Sequence, residues 1–176
     1  IRFGKNGSDV TAGAVRAARA ITGRDVVLCC GYHGWQDWFI GTTTRNAGVP
    51  AAVRALTHAF PYNDLPALEA LLDSYSGHVA AIVMEPMGLV EPHKGYLEAV
   101  RSLATAHQAV LVFDECWTGF RIHLQGAYGR FGVTPDLACF GKALGNGVPI
   151  SVLLGRSDVM DVLEDVFFSL HKLGGG

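Results

Sequence analysis

The sequence has little charge and no long apolar run, and each absence excludes a class of function. Charged residues make up 17% of its 176 residues and the net charge is −2. No basic stripe suited to nucleic acid is present. No apolar run approaches the roughly 20 residues that span a bilayer. We therefore expect neither a nucleic-acid partner nor a membrane.

The cysteines lack the spacing of a metal site or a disulfide framework. Cys29, Cys30, Cys116 and Cys139 stand in or at the ends of apolar segments, and none belongs to a CxxC pair. Buried, reduced thiols are typical of cytoplasmic proteins. We predict no metal site and a cytoplasmic location. No GxGxxG follows a predicted strand, which argues against an NAD-binding domain.

Short apolar segments alternate along the chain with segments of helical period. We predict strands at residues 25–30, 79–84, 109–113, 137–140 and 150–154. We predict helices at 8–22 (with Ser8 as N-cap), 64–75, 94–107 and 157–163. Residues 31–63 have little periodicity and predict a long loop. This alternation predicts an α/β fold, a mostly parallel sheet flanked by helices in three layers.

Two predicted strands end in residues suited to chemistry. The segment at 109–113 is followed by Asp114 and Glu115, and the segment at 137–140 is followed by Gly141 and Lys142. Ligands of open α/β sheets bind outside the carboxyl ends of the strands. We therefore expect Asp114 and Lys142 at one edge, as an active centre.

A lysine at the end of a buried strand is costly unless it is paired or neutral. A neutral amine attacks carbonyl groups, which is the chemistry of a Schiff-base lysine, and pyridoxal phosphate is its commonest partner. Asp114 would keep the pyridine nitrogen protonated and Tyr32 would stack on the ring. The turn at Gly7 and Ser8 would bind the phosphate with free backbone N–H groups.

Each of these residues also has an ordinary structural explanation. Lys142 is equally consistent with a solvated turn lysine, and Asp114 and Glu115 with caps of the following loop. Tyr32 is equally consistent with a core or interface aromatic residue, and Ser8 with a simple N-cap. Their joint placement at successive strand ends favours a cofactor site.

Beyond these single features, a long series of segments resembles the class III aminotransferases, enzymes of fold type I that use pyridoxal phosphate. The segments are NGSDVTAGAVRAAR, GYHGW, FPYNDL, VMEP, KGYLEAVRSL, VFDECWTGFR, FGVTPDLACFGKALGNGVPIS and GRSDVM. They occur in unbroken order over nearly the whole chain. The branch that includes glutamate-1-semialdehyde aminomutase is the most similar.

The resemblance implies roles for individual residues. Lys142 matches the Schiff-base lysine, which also moves a proton during the reaction, and Asp114 matches the partner of the pyridine nitrogen. Tyr32 matches the residue stacked on the ring. Cys116 stands where the family usually has valine on the opposite ring face.

The remaining matches concern the phosphate and the substrate. Gly7 and Ser8 match the phosphate-binding turn, His33 belongs to the cofactor site, and Glu85 matches an acid on the substrate side. The family also implies a homodimer whose partner chain contributes a phosphate contact. Its usual threonine for that contact is missing from 169–173, where the chain has Ser-Leu-His-Lys-Leu.

We therefore expect residues 1–176 to be the central part of the large domain, without the family's N-terminal segment and C-terminal small domain. The expected function is transfer of an amino group between a small-molecule amino donor and an oxo acceptor through Lys142. One alternative is intramolecular amino transfer of the glutamate-1-semialdehyde 2,1-aminomutase type. Another is a non-catalytic α/β association module.

Overall fold

The computed structural model describes residues 1–164, which form a seven-stranded sheet with helices on both faces. The strands are Arg2–Gly4 (β1), Val26–Cys30 (β2), Thr57–Ala59 (β3), Val79–Met84 (β4), Val110–Asp114 (β5), Leu137–Phe140 (β6) and Ser151–Gly155 (β7). The helices are Gly7–Thr22 (α1), Asp37–Ile40 (α2), Ala51–Arg54 (α3), Leu65–Ser74 (α4), Tyr96–Ala106 (α5), Gly126–Phe131 (α6) and Ser157–Asp161 (α7).

The strand order is β1-β7-β6-β5-β4-β2-β3. The five strands β3, β2, β4, β5 and β6 are parallel, whereas β7 pairs antiparallel with β6 and with β1. The prediction of a mostly parallel sheet is confirmed. Because the parallel strands run in one direction, their carboxyl ends meet at one edge.

Alternate residues of the central strands β2, β4 and β5 enter two separate apolar clusters. On one face, side chains such as Val83, Val112 and Cys139 pack with α1 and α7. On the other face, side chains such as Ile82 and Phe113 pack with α4 and α5. Nearly continuous burial of β2, β4, β5 and β6 is the consequence, and it explains their unbroken apolar sequences.

The first helix begins differently from the prediction. Asn6, not Ser8, is the N-cap: its side chain accepts the Asp9 N–H at 3.2 Å, and the Asp9 carboxylate accepts the Asn6 N–H at 3.0 Å. This reciprocal pair is a capping box. Ser8 lies in the first turn of the helix. At the other end Gly23 adopts φ +64°, the left-handed conformation that ends the helix.

The interval 31–63 contains more structure than predicted. It includes the single-turn helices α2 and α3 and the edge strand β3. Elements of three or four residues are too short to produce a period in sequence, which is why the interval resembled a loop. The same reason explains β1, which was not predicted. Helix α6 was not predicted either, and its six residues include two glycines.

Among residues 1–164, no helix is long and apolar enough to cross a membrane. Within the same residues, no group of three or more His, Cys, Asp and Glu side chains is arranged to hold a metal ion. The segment 169–173, where the family threonine is expected, lies outside the described residues.

Candidate active site

The predicted site residues follow four adjacent parallel strands. Tyr32 and His33 follow β2, Glu85 follows β4, Asp114 ends β5 and Lys142 lies two residues after β6. The register joins Asp114 to Cys139, three residues before Lys142. The fold therefore places all of these residues at the carboxyl edge of the sheet, where ligands of α/β proteins bind.

Asp114 and His33 form a buried pair at the centre of this edge. They are 3% and 2% exposed. His33 Nδ1 lies 2.9 Å from Asp114 Oδ2, and the Cys116 N–H donates to Asp114 Oδ1 at 3.1 Å. The carboxylate retains room for a further donor, because it accepts up to about four hydrogen bonds.

Both ring nitrogens of His33 have hydrogen-bond partners. His33 Nε2 lies 3.1 Å from the Cys30 carbonyl oxygen, which only accepts, so Nε2 carries a hydrogen. The other ring nitrogen, Nδ1, hydrogen-bonds to Asp114 Oδ2, so the buried carboxyl group of Asp114 has a partner in His33.

The imidazole ring is held in place by neighbours on several sides. Trp38 stacks near it with centroids 5.8 Å apart, and Phe39 meets it edge-on at 5.1 Å. Thr11 Oγ1 donates to the His33 carbonyl at 3.1 Å and ties this turn to α1. Trp38 and Phe39 belong to α2, the short helix that the sequence did not predict.

Lys142 differs from the buried lysine that the sequence predicted. Its side chain is exposed, and it begins a single 3₁₀ turn over residues 142–144. Its φ is +43°, a left-handed conformation that is uncommon for a residue other than glycine. Lys142 and Glu85 both line a cavity of about 270 Å³, together with Gly88, Leu89 and Trp117.

The start of α1 closes one side of the site through close backbone contacts. A Cβ atom at Gly7 would lie 2.8 Å from Cys116 Sγ, and one at Gly34 would lie 2.2 Å from Ser8 Oγ. A Cβ atom at Gly141, just before Lys142, would lie 3.5 Å from the same thiol. The first N–H groups of a helix have no partner within it, and they attract anions.

Tyr32 and Glu85 meet across the edge of β2 and β4. The Tyr32 N–H donates to Glu85 Oε2 at 3.1 Å, while the Tyr32 side chain is 61% exposed. Burial is the main cause that raises the pKa of Glu85, and the nearby Asp114 carboxylate adds to it. Burial also raises the pKa of the Cys116 thiol, so Cys116 is a neutral packing group here.

Glu115 has the structural role that the sequence left open. Its buried carboxylate accepts the Ala127 N–H at 2.8 Å and the Thr118 hydroxyl at 3.0 Å. It therefore holds the start of α6 and the loop that leads to it. Burial raises its pKa, and the hydrogen bonds from Ala127 and Thr118 oppose that effect.

Several residues that shape the site were missed in the sequence. Asn6, Thr11 and Trp38 support the predicted residues without being among them. Asn6 caps α1. The other two contact His33: Thr11 hydrogen-bonds to its carbonyl and Trp38 packs near its ring. Of these, only Asn6 could have been predicted from the sequence. A capping box pairs the N-cap with the third residue of the helix, and Asn6 and Asp9 have that spacing.

Comparisons with known proteins show the family of this chain. The family model described as aminotransferase class-III matches residues 1–166. A glutamate-1-semialdehyde 2,1-aminomutase from Roseiflexus castenholzii is 45% identical over 180 residues, covering 93% of this chain and 41% of that protein. A 3-aminobutyryl-CoA aminotransferase from Cloacimonas acidaminovorans is 43% identical, covering 93% of this chain and 40% of that protein.

A solved structure supports the same assignment. The PLP internal aldimine form of the FumI protein from Sphingopyxis sp. MTA144 superposes with a TM-score of 0.88 at 34% identity, covering 96% of this chain and 42% of that one. The chain thus spans about two fifths of the length of the relatives that it matches. On the family match and these identities, the chain belongs to the class-III aminotransferase family.

Proposed function

We propose that this chain is the cofactor-binding part of a pyridoxal-phosphate-dependent aminotransferase, in which Lys142 binds the cofactor. The observation that carries the proposal is the convergence of Lys142, the buried Asp114–His33 pair and the start of α1 at one sheet edge. When bound, pyridoxal phosphate supplies an aldehyde that reacts with amines and a ring that accepts electrons.

The residues present fit this cofactor. Asp114 has capacity for one more donor, which a protonated pyridine nitrogen supplies. The N–H groups of Gly7 and Ser8 at the start of α1 suit a phosphate, and Gly7 and Gly141 keep that approach free of side chains. Cys116 is a small apolar side chain that lies next to both Gly7 and Gly141.

The other residues have binding and proton-carrying roles. Lys142 Nζ would hold the cofactor through its aldehyde, and the same amine, when free, would hold or move the proton at the substrate carbon. His33 hydrogen-bonds to Asp114 through Nδ1 and keeps the carboxyl group oriented. Tyr32 has an exposed ring that is available to stack on the cofactor. Glu85 lines the cavity beside Lys142, on the side where a substrate would enter.

Intramolecular amino transfer remains the second candidate, because the 45% identical relative is an aminomutase. The full-length protein, supplied with a ¹⁵N-labelled amino donor and a separate oxo acceptor, distinguishes the two. Our proposal predicts that ¹⁵N appears in the acceptor product and that Lys142→Ala abolishes the transfer. Label that stays within the original carbon skeleton would favour the aminomutase.

We also propose that residues 1–176 form the central part of a large domain, and that the full-length protein is a cytoplasmic homodimer. The four cysteines are free, which suits a reducing compartment. Trp35 and Trp117 are 71% and 38% exposed, and Trp117 lines the cavity beside Lys142, which suits a contact with another chain or domain. Light scattering on the full-length protein measures its oligomeric state.

A further inference from the structure

Glu85 is linked to the turn after β2 on both sides of Gly31. Its backbone N–H donates to the Cys30 carbonyl at 3.1 Å. Its side-chain Oε2 accepts the Tyr32 N–H, also at 3.1 Å. One residue after β4 therefore fixes the backbone immediately before and immediately after Gly31.

Gly31 is required for this close approach. Its φ is +108°, a conformation that other residues rarely adopt, and a Cβ atom there would lie 2.5 Å from Glu85 Oε2. Any side chain at this position displaces the carboxylate from the Tyr32 N–H. Gly31 and Glu85 therefore form one structural unit.

The Tyr32 side chain depends on this unit for its direction. Its ring packs edge-on against Phe39 with centroids 5.6 Å apart and is otherwise largely exposed. The next residue, His33, is buried and fixed by Asp114. The Tyr32 ring is thus directed by its backbone, which Glu85 holds on one side and His33 on the other.

We propose that Glu85 is a positioning residue, which holds the Tyr32 ring at the cofactor site by accepting the Tyr32 N–H. This rests on the proposed function, since the ring is positioned for a cofactor bound at Lys142. A carboxyl group accepts this bond through its carbonyl oxygen even when it is protonated. The neutral amide of Glu85→Gln offers the same acceptor, so this variant preserves the anchor and Glu85→Ala removes it.

The first test uses the full-length protein without cofactor. Hydrogen exchange of the Tyr32 amide is expected to accelerate about tenfold in Glu85→Ala, the effect of losing one hydrogen bond. Glu85→Gln is expected to stay close to the parent. The amide of Ile82, inside β4, is the internal control for global stability. Equal Tyr32 exchange in Glu85→Ala and the parent, at unchanged Ile82 exchange, would overturn the proposal.

The second test measures the dissociation constant of pyridoxal phosphate from its visible absorption. We expect about tenfold weaker binding in Glu85→Ala and in Gly31→Ala, and near-parent binding in Glu85→Gln. The double variant Gly31→Ala/Glu85→Ala should be no weaker than the weaker single variant, because both act on one unit. Additive losses, or parent-like affinity in Glu85→Ala, would contradict the positioning role.

The two tests separate this proposal from the proposed function. If the parent binds no pyridoxal phosphate at Lys142, the proposed function fails, and the positioning of a cofactor-stacking ring fails with it. The exchange result would still establish the Glu85–Tyr32 anchor. If the parent binds the cofactor but Glu85→Ala binds it equally well, only the positioning role fails.

Discussion

At the scale of single residues, the conformation of Lys142 is the least ordinary feature of the site. Its φ is +43°, and this left-handed backbone conformation costs a residue with a Cβ atom about 1–2 kcal/mol. The fold maintains this conformation immediately after Gly141, at the end of β6. Strain of this kind is concentrated at functional positions, where it fixes the direction of a side chain.

This conformation predicts a difference between two variants that both lack the amine. Lys142→Gly relieves the left-handed backbone, whereas Lys142→Ala retains it. We expect Lys142→Gly to have the higher free energy of unfolding by about 1 kcal/mol, after the greater flexibility of unfolded glycine is deducted. Urea unfolding of the two proteins without cofactor measures the difference. Higher stability of Lys142→Ala would contradict the strain.

The buried His33–Asp114 pair predicts unequal costs for its two partners. His33→Ala leaves the carboxyl group of Asp114 buried without its His33 partner, whereas the amide of Asp114→Asn still hydrogen-bonds to the imidazole. We expect His33→Ala to lose about 2 kcal/mol more free energy of unfolding than Asp114→Asn. Denaturant unfolding at pH 7 tests this expectation. A larger loss in Asp114→Asn would contradict this account of the pair.

At the scale of elements, the start of α1 has separate residues for stability and for the proposed phosphate site. Asn6 closes the capping box, and Ser8 lies in the first turn facing Gly34. We expect Asn6→Ala to lower the free energy of unfolding by about 1 kcal/mol. Ser8→Ala should change it by less than about 0.5 kcal/mol while weakening pyridoxal phosphate binding. If thermal unfolding showed a larger loss of stability in Ser8→Ala than in Asn6→Ala, Ser8 would be the N-cap and this account would be wrong.

Asp136 connects β5, α5 and the end of β7 at the opposite edge of the sheet. Its carboxylate accepts from the Leu111 N–H, Arg101 and Arg156, each at 2.8 Å. Burial alone would raise the pKa of Asp136, but these three donors outweigh it and hold the pKa below its usual range.

The lowered pKa of Asp136 fixes the sign of its pH dependence. An acid whose pKa is lower in the folded state stabilises the fold above its unfolded pKa of about 3.9, and the stabilisation is lost as pH falls through the folded pKa. The parent should exceed Asp136→Asn by about 2 kcal/mol at pH 7, and the difference should shrink below about pH 4. Urea unfolding as a function of pH measures it. A pH-independent difference would contradict the assignment.

At the scale of the whole molecule, the sequence predicted those features that repeat over many residues. Continuous apolar segments predicted the central strands, and residues such as Asp114 and Lys142 at their ends predicted the edge that carries the candidate site. The length of each segment and the parallel topology were enough for this.

Features that depend on contacts distant in sequence were not predictable. The burial of His33 depends on Asp114, 81 residues away, and the approach of Glu85 to Tyr32 spans 53 residues. The exposure of Lys142 depends on the turn after β6, whose geometry a strand pattern does not contain. The short elements α2 and β3 could not be predicted from the local sequence, because they depend on packing against the rest of the fold.

The most direct test of the central claim is the visible absorption spectrum of the full-length protein after addition of pyridoxal phosphate, followed by borohydride reduction and peptide mapping. The same experiment on Lys142→Ala is the control. We predict a new absorption band in the parent, a reduced cofactor fixed to the peptide that contains Lys142, and neither in the variant. No lysine-dependent band in the parent, or a label on another lysine, would contradict the assignment of this site.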